Sequence, residues 1–241
     1  MSSLFLDTLS GHQSEKQPIW LMRQAGRYLA EYRALRKTEP NFISFCLNPE
    51  KAVKVTMQPI DRFGFDAAII FSDILMVPWA LERNVRFVTG EGPKLDPMET
   101  GSEITEAMIT NMAPKLTPVG TAISNCRAAL AADKALIGFA GAPWTIMTYL
   151  LEGGSSRDFT TARLWMWENE ARFERLLDLV SRATADFLSL QAKAGADALM
   201  LFDSWASAVP SHLLRKVVID PVNRITCILR ERCIETPLIG R

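Results

Sequence analysis

Residues 67–73 read AAIIFSD, and this stretch decides the fold. Ala67 to Phe71 are apolar without a break over the length of a strand, and the run stops at Ser72-Asp73. A strand with one wet face alternates apolar and polar residues. Continuous apolarity marks a strand covered on both faces, as in a parallel sheet. The same pattern recurs in Ala135-Leu136-Ile137-Gly138-Phe139 and in Ala198-Leu199-Met200-Leu201-Phe202, the latter followed by Asp203-Ser204. Pro237-Leu238-Ile239-Gly240-Arg241 reads as the start of another such strand.

Helical patterns lie between these runs. Leu4 to Leu9 reads as a short lead helix. Asn48-Pro49-Glu50 has the cap and first-turn proline of a helix start. That helix is expected to carry Val53, Met57 and Ile60 on one side, with Pro59 kinking it or ending it early. Further helices are expected over Thr121 to Ala132, over Trp144 to Leu151 with Gly153-Gly154 as the stop, and over Glu170 to Ala194 with Gly195 as the stop. Pro210 and Pro221 each open a later one. Asn84 to Thr89 alternates weakly before Gly90-Glu91-Gly92-Pro93 and reads as a hairpin excursion. Gly90 to Lys94 lacks the GK[ST] ending of a phosphate loop.

Strand and helix alternation of this kind is an α/β pattern. It fits either a doubly wound sheet or a (β/α)8 barrel. In both, polar residues just past the strands' C-terminal ends face the ligand crevice. The stretch PIWLMRQAGRYLAEYR, residues 18–33, reads as a short buried strand over Ile19-Trp20-Leu21, a loop and a helix start. Its loop sets Arg23 and Arg27 around Gln24, Ala25 and Gly26. Two guanidiniums beside a glycine suit planar carboxylates or phosphates, although solvated arginines pairing with local acids would look the same.

Twenty-seven basic and 27 acidic residues leave no net charge, which gives no support to a nucleic-acid or membrane-surface role. No apolar run approaches the roughly 20 residues of a membrane span, and the first residues lack the pattern of a signal peptide. Cys46, Cys126, Cys227 and Cys233 have no metal-site or redox spacing and read as small buried residues in a reducing compartment. These features make a single cytoplasmic domain over residues 1–241 the expectation.

PIWLMRQAGRYLAEYR and, at residues 136–154, LIGFAGAPWTIMTYLLEGG resemble the two signatures of the uroporphyrinogen decarboxylase family. AAIIFSDILMVPWAL and LFDSWAS match the family pattern in the same order. The resemblance implies a (β/α)8 TIM-barrel enzyme of haem and porphyrin biosynthesis. Such an enzyme removes the acetate carboxyls of uroporphyrinogen III as CO2 to give coproporphyrinogen III. It uses no metal and no organic cofactor, as a cytoplasmic homodimer. By the same resemblance Asp73 and Arg23 are the catalytic residues. Arg23, Gln24, Ala25, Gly26, Arg27, Asp73, Tyr149 and Ser204 bind substrate, with Arg23 also a candidate for assisting proton delivery. On their own, Asp73 and Ser204 would read as helix caps and Tyr149 as a core tyrosine.

The sequence departs from the family in extent. An eight-stranded barrel takes about 250 residues or more, whereas four to five β/α units are legible here, so a partial barrel is expected. The family's late active-site histidine has no counterpart, since only His12 and His212 are present. Two other readings stay open: an inactive remnant that binds porphyrinogen or a partner, and a corrinoid- and zinc-dependent methyltransferase of related fold.

Overall fold

A computed structural model describes residues 3–88, 90–98 and 103–240. Thr89, at the end of the expected hairpin strand, and the terminal Arg241 lie outside the described residues. The chain runs α1 (Leu4–Leu9), α2 (Ala30–Lys37), α3 (Phe42–Cys46), α4 (Pro49–Phe63), β1 (Ala67–Ile69), α5 (Met76–Ala80), β2 (Arg86–Val88) and β3 (Gly92–Lys94). It continues through α6 (Glu106–Thr110), α7 (Met112–Ala129), β4 (Ala135–Gly141), α8 (Pro143–Glu152), α9 (Thr160–Glu168), α10 (Glu170–Lys193), β5 (Ala198–Phe202), α11 (Asp220–Glu231) and β6 (Leu238–Gly240).

The main sheet has the order β1-β4-β5-β6 and every pairing is parallel. Each strand joins the same edge as its predecessor, and the order never reverses. A doubly wound sheet needs such a reversal, so the winding is that of a barrel. Helices α4, α7, α10 and α11 pack side by side in the same sequence as the strands they connect. All residues of β1, β4 and β5 are buried, as their continuous apolarity predicts.

The cap signals hold. Asn48 accepts the Lys51 N–H at 3.0 Å, and Gly64 and Gly153 end α4 and α8 in the left-handed region. Several expectations change. Pro59 does not end α4, which continues to Phe63; Ala52, Val55, Thr56 and Pro59 are buried, and Val53, Met57 and Ile60 are half-buried against the core. Helix α7 begins at Met112, nine residues before the expected start, and passes through Pro118. Cys46 and Cys126 are buried, but Cys227 and Cys233 are exposed.

Ile19-Trp20-Leu21 is not a strand, and Ile19 and Leu21 are exposed. The segment is fastened beside β1 by single bonds. Ile19 N–H donates to Asp66 Oδ2 at 2.8 Å, and Asp66 N–H donates to the Ile19 carbonyl at 2.9 Å. Beyond that point a side chain replaces the ladder. Gln24, 1% exposed, donates from Nε2 to the Ala67 carbonyl at 3.1 Å and accepts the Leu21 N–H on Oε1 at 3.2 Å.

Candidate active site

Tying Gln24 inward to β1 turns its neighbours the other way. Met22, Arg23 and Ala25 line a cavity of about 480 Å³ beyond the C-terminal ends of the strands. Asp73 follows β1, Tyr149 lies on α8 and Ser204 follows β5, and all three line the same space. The structure therefore brings together Arg23, Ala25, Asp73, Tyr149 and Ser204. It does not bring Gln24, Gly26 or Arg27 to the wall. Arg27 is exposed, and its carbonyl accepts a bond from Arg33 Nη1 at 2.7 Å.

Asp73 serves two ends of the local fold. Its Oδ1 accepts the Leu75 N–H at 2.8 Å, a short turn that leads into α5. Among the described residues no donor pairs with Oδ2. Burial pushes the Asp73 carboxyl up to about 6, while the Leu75 N–H and the Arg23 charge pull the other way. Arg23 and Asp73 do not form a contact ion pair; the guanidinium is exposed at the cavity wall, free to meet an incoming anion. Burial also raises the Tyr149 hydroxyl and the Cys46 thiol, and the Asp73 charge adds to both.

The remaining wall is apolar, and sequence reasoning assigned it no role. Phe139 and Phe202 meet edge to face at 5.3 Å between centroids, and Phe42 and Phe87 lie 4.4 Å apart. Phe71 and Pro93 also line this surface. The parallel between Phe71-Ser72-Asp73 and Phe202-Asp203-Ser204 was the legible signal for Phe71 and Phe202. Nothing local marks Phe87, which the hairpin delivers.

Asp203 was also passed over. It does not line the cavity. Its Oδ1 accepts the Thr145 hydroxyl at 2.7 Å, joining the end of β5 to the first turn of α8, while Oδ2 is buried without a partner. Burial raises its pKa, with the Thr145 hydroxyl opposing. No group of three or more His, Cys, Asp or Glu among the described residues could hold a metal ion.

A parallel β/α sheet that presents a carboxylate, an arginine, a tyrosine and a serine past its strand ends belongs to the barrel-type β/α proteins, whose ligands bind at that face. The architecture is similar to that of a methyltransferase from Methanosarcina mazei, with a TM-score of 0.74 over 100% of this chain and 69% of that one, at 16% identity. The sequence comparisons are narrower. The uroporphyrinogen decarboxylase (URO-D) family model matches residues 1–240. Proteins named uroporphyrinogen decarboxylase from Maricaulis maris (strain MCS10) and Rhodospirillum rubrum are 47% and 45% identical, each over 98% of this chain and 68% of the relative. One from Caulobacter vibrioides is 48% identical over 98% of this chain and 67% of its own length. The chain belongs to the uroporphyrinogen decarboxylase family, and it spans about two thirds of the length of these relatives.

Proposed function

We propose that this chain decarboxylates the acetate arms of uroporphyrinogen III to give coproporphyrinogen III, with Asp73 as the central catalytic group. The observation that carries the reading is the Asp73 carboxylate, one oxygen unpaired among the described residues, in a mostly apolar cavity with an arginine at its wall.

The substrate offers pyrrole N–H donors at its centre and carboxylates at its rim. Protonating a pyrrole carbon creates a ring cation. The bond from the acetate methylene to its carboxyl then breaks, CO2 leaves, and the electron pair neutralises the ring. A proton taken up at the methylene completes the methyl group, and a proton lost from the ring carbon restores the pyrrole. The ring itself is the electron sink, so the scheme uses neither a metal nor an organic cofactor. Ionised Asp73 would accept pyrrole N–H bonds and stabilise the cation where it forms, in a mostly apolar cavity where a fixed charge acts more strongly than in water.

Arg23 would pair with a rim carboxylate, which suits a guanidinium that stays protonated at neutral pH. Proton delivery by Arg23 is chemically harder, and the scheme does not require it. Tyr149 and Ser204 would hydrogen-bond further carboxylates, and the phenylalanines would cover the macrocycle. Gln24, Gly26 and Arg27 would act by shaping the loop that presents Arg23.

The reading includes one domain over residues 1–241, working as a homodimer in the cytoplasm, without nucleic-acid or membrane partners. Zero net charge is in keeping with this, and no described helix is long and apolar enough to cross a membrane. The test is to incubate the purified chain with uroporphyrinogen III under anaerobic conditions and measure coproporphyrinogen and CO2. Turnover that Asp73→Ala abolishes supports the assignment. Binding without CO2 release would favour a binding role, and turnover unaffected by Asp73→Ala would remove Asp73 from the mechanism.

A further inference from the structure

The ladder between β1 and β4 stops in an unusual way. Ala135 N–H donates to the Asp66 carbonyl at 3.1 Å, and Ile70 N–H donates to the Ile137 carbonyl at 2.9 Å. Odd-numbered residues of β4 therefore face β1, and continuing the parallel ladder would give Phe139 the Ile70 carbonyl and the Ser72 N–H. Phe139 instead takes both bonds from a side chain. Gln191 of α10, fully buried, accepts the Phe139 N–H on Oε1 at 2.8 Å and donates from Nε2 to the Phe139 carbonyl at 2.8 Å. Gln191 reaches the strand over Gly138, where a Cβ would stand 2.6 Å from its Oε1.

On the other edge of β1, the side that Gln24 occupies, a second side chain holds the backbone. Phe71 N–H donates to the Thr56 hydroxyl of α4 at 2.9 Å, and that hydroxyl donates in turn to the Ala52 carbonyl at 2.7 Å. Gln191 thus takes the Phe139 groups that a continued ladder would use, and Thr56 fixes the chain at Phe71, two residues before Asp73. Released from β4, residues 71–73 turn into the cavity, and Phe139 turns its ring onto Phe202.

We propose that Thr56 and Gln191 are positioning residues for the decarboxylation, Gln191 by ending the β1–β4 ladder and Thr56 by holding the chain at Phe71, so that Asp73 faces the cavity. This rests on the role assigned to Asp73 above. Neither residue lines the cavity, so their effect reaches the substrate only through the backbone they hold.

The experiment compares Thr56→Val, Thr56→Ser and Gln191→Met with the parent in the full chain. Turnover, thermal stability and the titration of Asp73 are measured, the last by NMR of carboxyl-13C aspartate assigned with Asp73→Asn. Positioning predicts that Thr56→Val lowers kcat by about tenfold to a hundredfold, as a misplacement on the order of 1 Å does, with KM within about twofold. The Asp73 midpoint moves down from about 6, and Thr56→Ser restores both. Gln191→Met shifts both in the same direction. A fall in melting temperature with kcat and midpoint unchanged would overturn the proposal, and so would a Thr56→Ser variant as impaired as Thr56→Val. A parent chain without turnover defeats the assigned reaction, and the Asp73 titration then decides positioning by itself.

Discussion

Replacing Asp73 with Asn should stabilise the fold while abolishing decarboxylation, and the size of the gain follows from the carboxyl's environment. Its pKa rises from 3.8 to about 6, with burial as the leading cause. At about 1.4 kcal/mol per pH unit, ionised Asp73 costs the folded chain about 3 kcal/mol, and its partial exposure lowers that to about 1–3 kcal/mol. The sign follows from proton binding. Between pH 4 and 6 the folded chain holds the proton that the unfolded chain has released, so stability falls as pH rises through this window and levels off above it. Asparagine keeps an oxygen for the Leu75 N–H and carries no charge, so its stability lacks this pH dependence. Urea unfolding of parent and variant at pH 4 and pH 8 measures the effect. The variant should exceed the parent by about 1–3 kcal/mol at pH 8, and the gap should narrow toward zero at pH 4. A gap independent of pH, or a parent more stable at pH 8, would refute the account of Asp73 as a strained, buried charge.

Arg23→Ala should raise KM for uroporphyrinogen about tenfold or more, since a charge-assisted pair with a carboxylate is worth about 1.5–3 kcal/mol; Arg27→Ala, off the cavity wall, should have the smaller effect in steady-state kinetics. Gly153→Ala should cost about 1–3 kcal/mol in thermal unfolding, because Gly153 sits at φ 73° and a Cβ there would lie 2.8 Å from Pro97 Cγ and 3.0 Å from the Leu95 carbonyl. Asp203→Asn keeps an acceptor for the Thr145 hydroxyl and removes a buried charge, so its melting temperature at pH 8 should equal or exceed the parent's. Asp203→Ala strands that hydroxyl and should lose about 1 kcal/mol.

The strands and their order of use were legible because burial on both faces writes a plain signal: three apolar runs of five residues, each closed by glycine or a polar pair. The strand expected over Ile19-Trp20-Leu21 shows where that signal fails. Three apolar residues do not specify a pairing partner, and here Gln24 occupies the edge of β1 that a strand would have used. Helix α7 starts nine residues before the Thr121–Ala132 stretch that marked it and passes through Pro118. At the site, Arg23, Asp73, Tyr149 and Ser204 were named through motif resemblance and line one cavity, whereas Gln24, Gly26 and Arg27 from the same motif do not. Thr56 and Gln191 had no local mark, because a polar residue on a helix reads as surface until its partner is known.

The same physics explains why the site needs such residues. A parallel ladder is most stable when it runs on, yet a ladder extended to Phe71 and Phe139 would draw residues 71–73 toward the sheet and away from the cavity. Ending the ladder exposes backbone donors and acceptors in a dry interior, each costing about 1–3 kcal/mol if left unpaired. Gln191 removes that penalty at Phe139 from outside the sheet, Gly138 supplies the clearance it requires, and Thr56 satisfies the Phe71 N–H on the other edge of β1. A further penalty is the Asp73 charge itself, held in a place where burial opposes it. A family member that kept Asp73 but lost Gln191 should therefore keep its fold more readily than its rate, because reclosing the ladder costs the site its geometry and the sheet nothing.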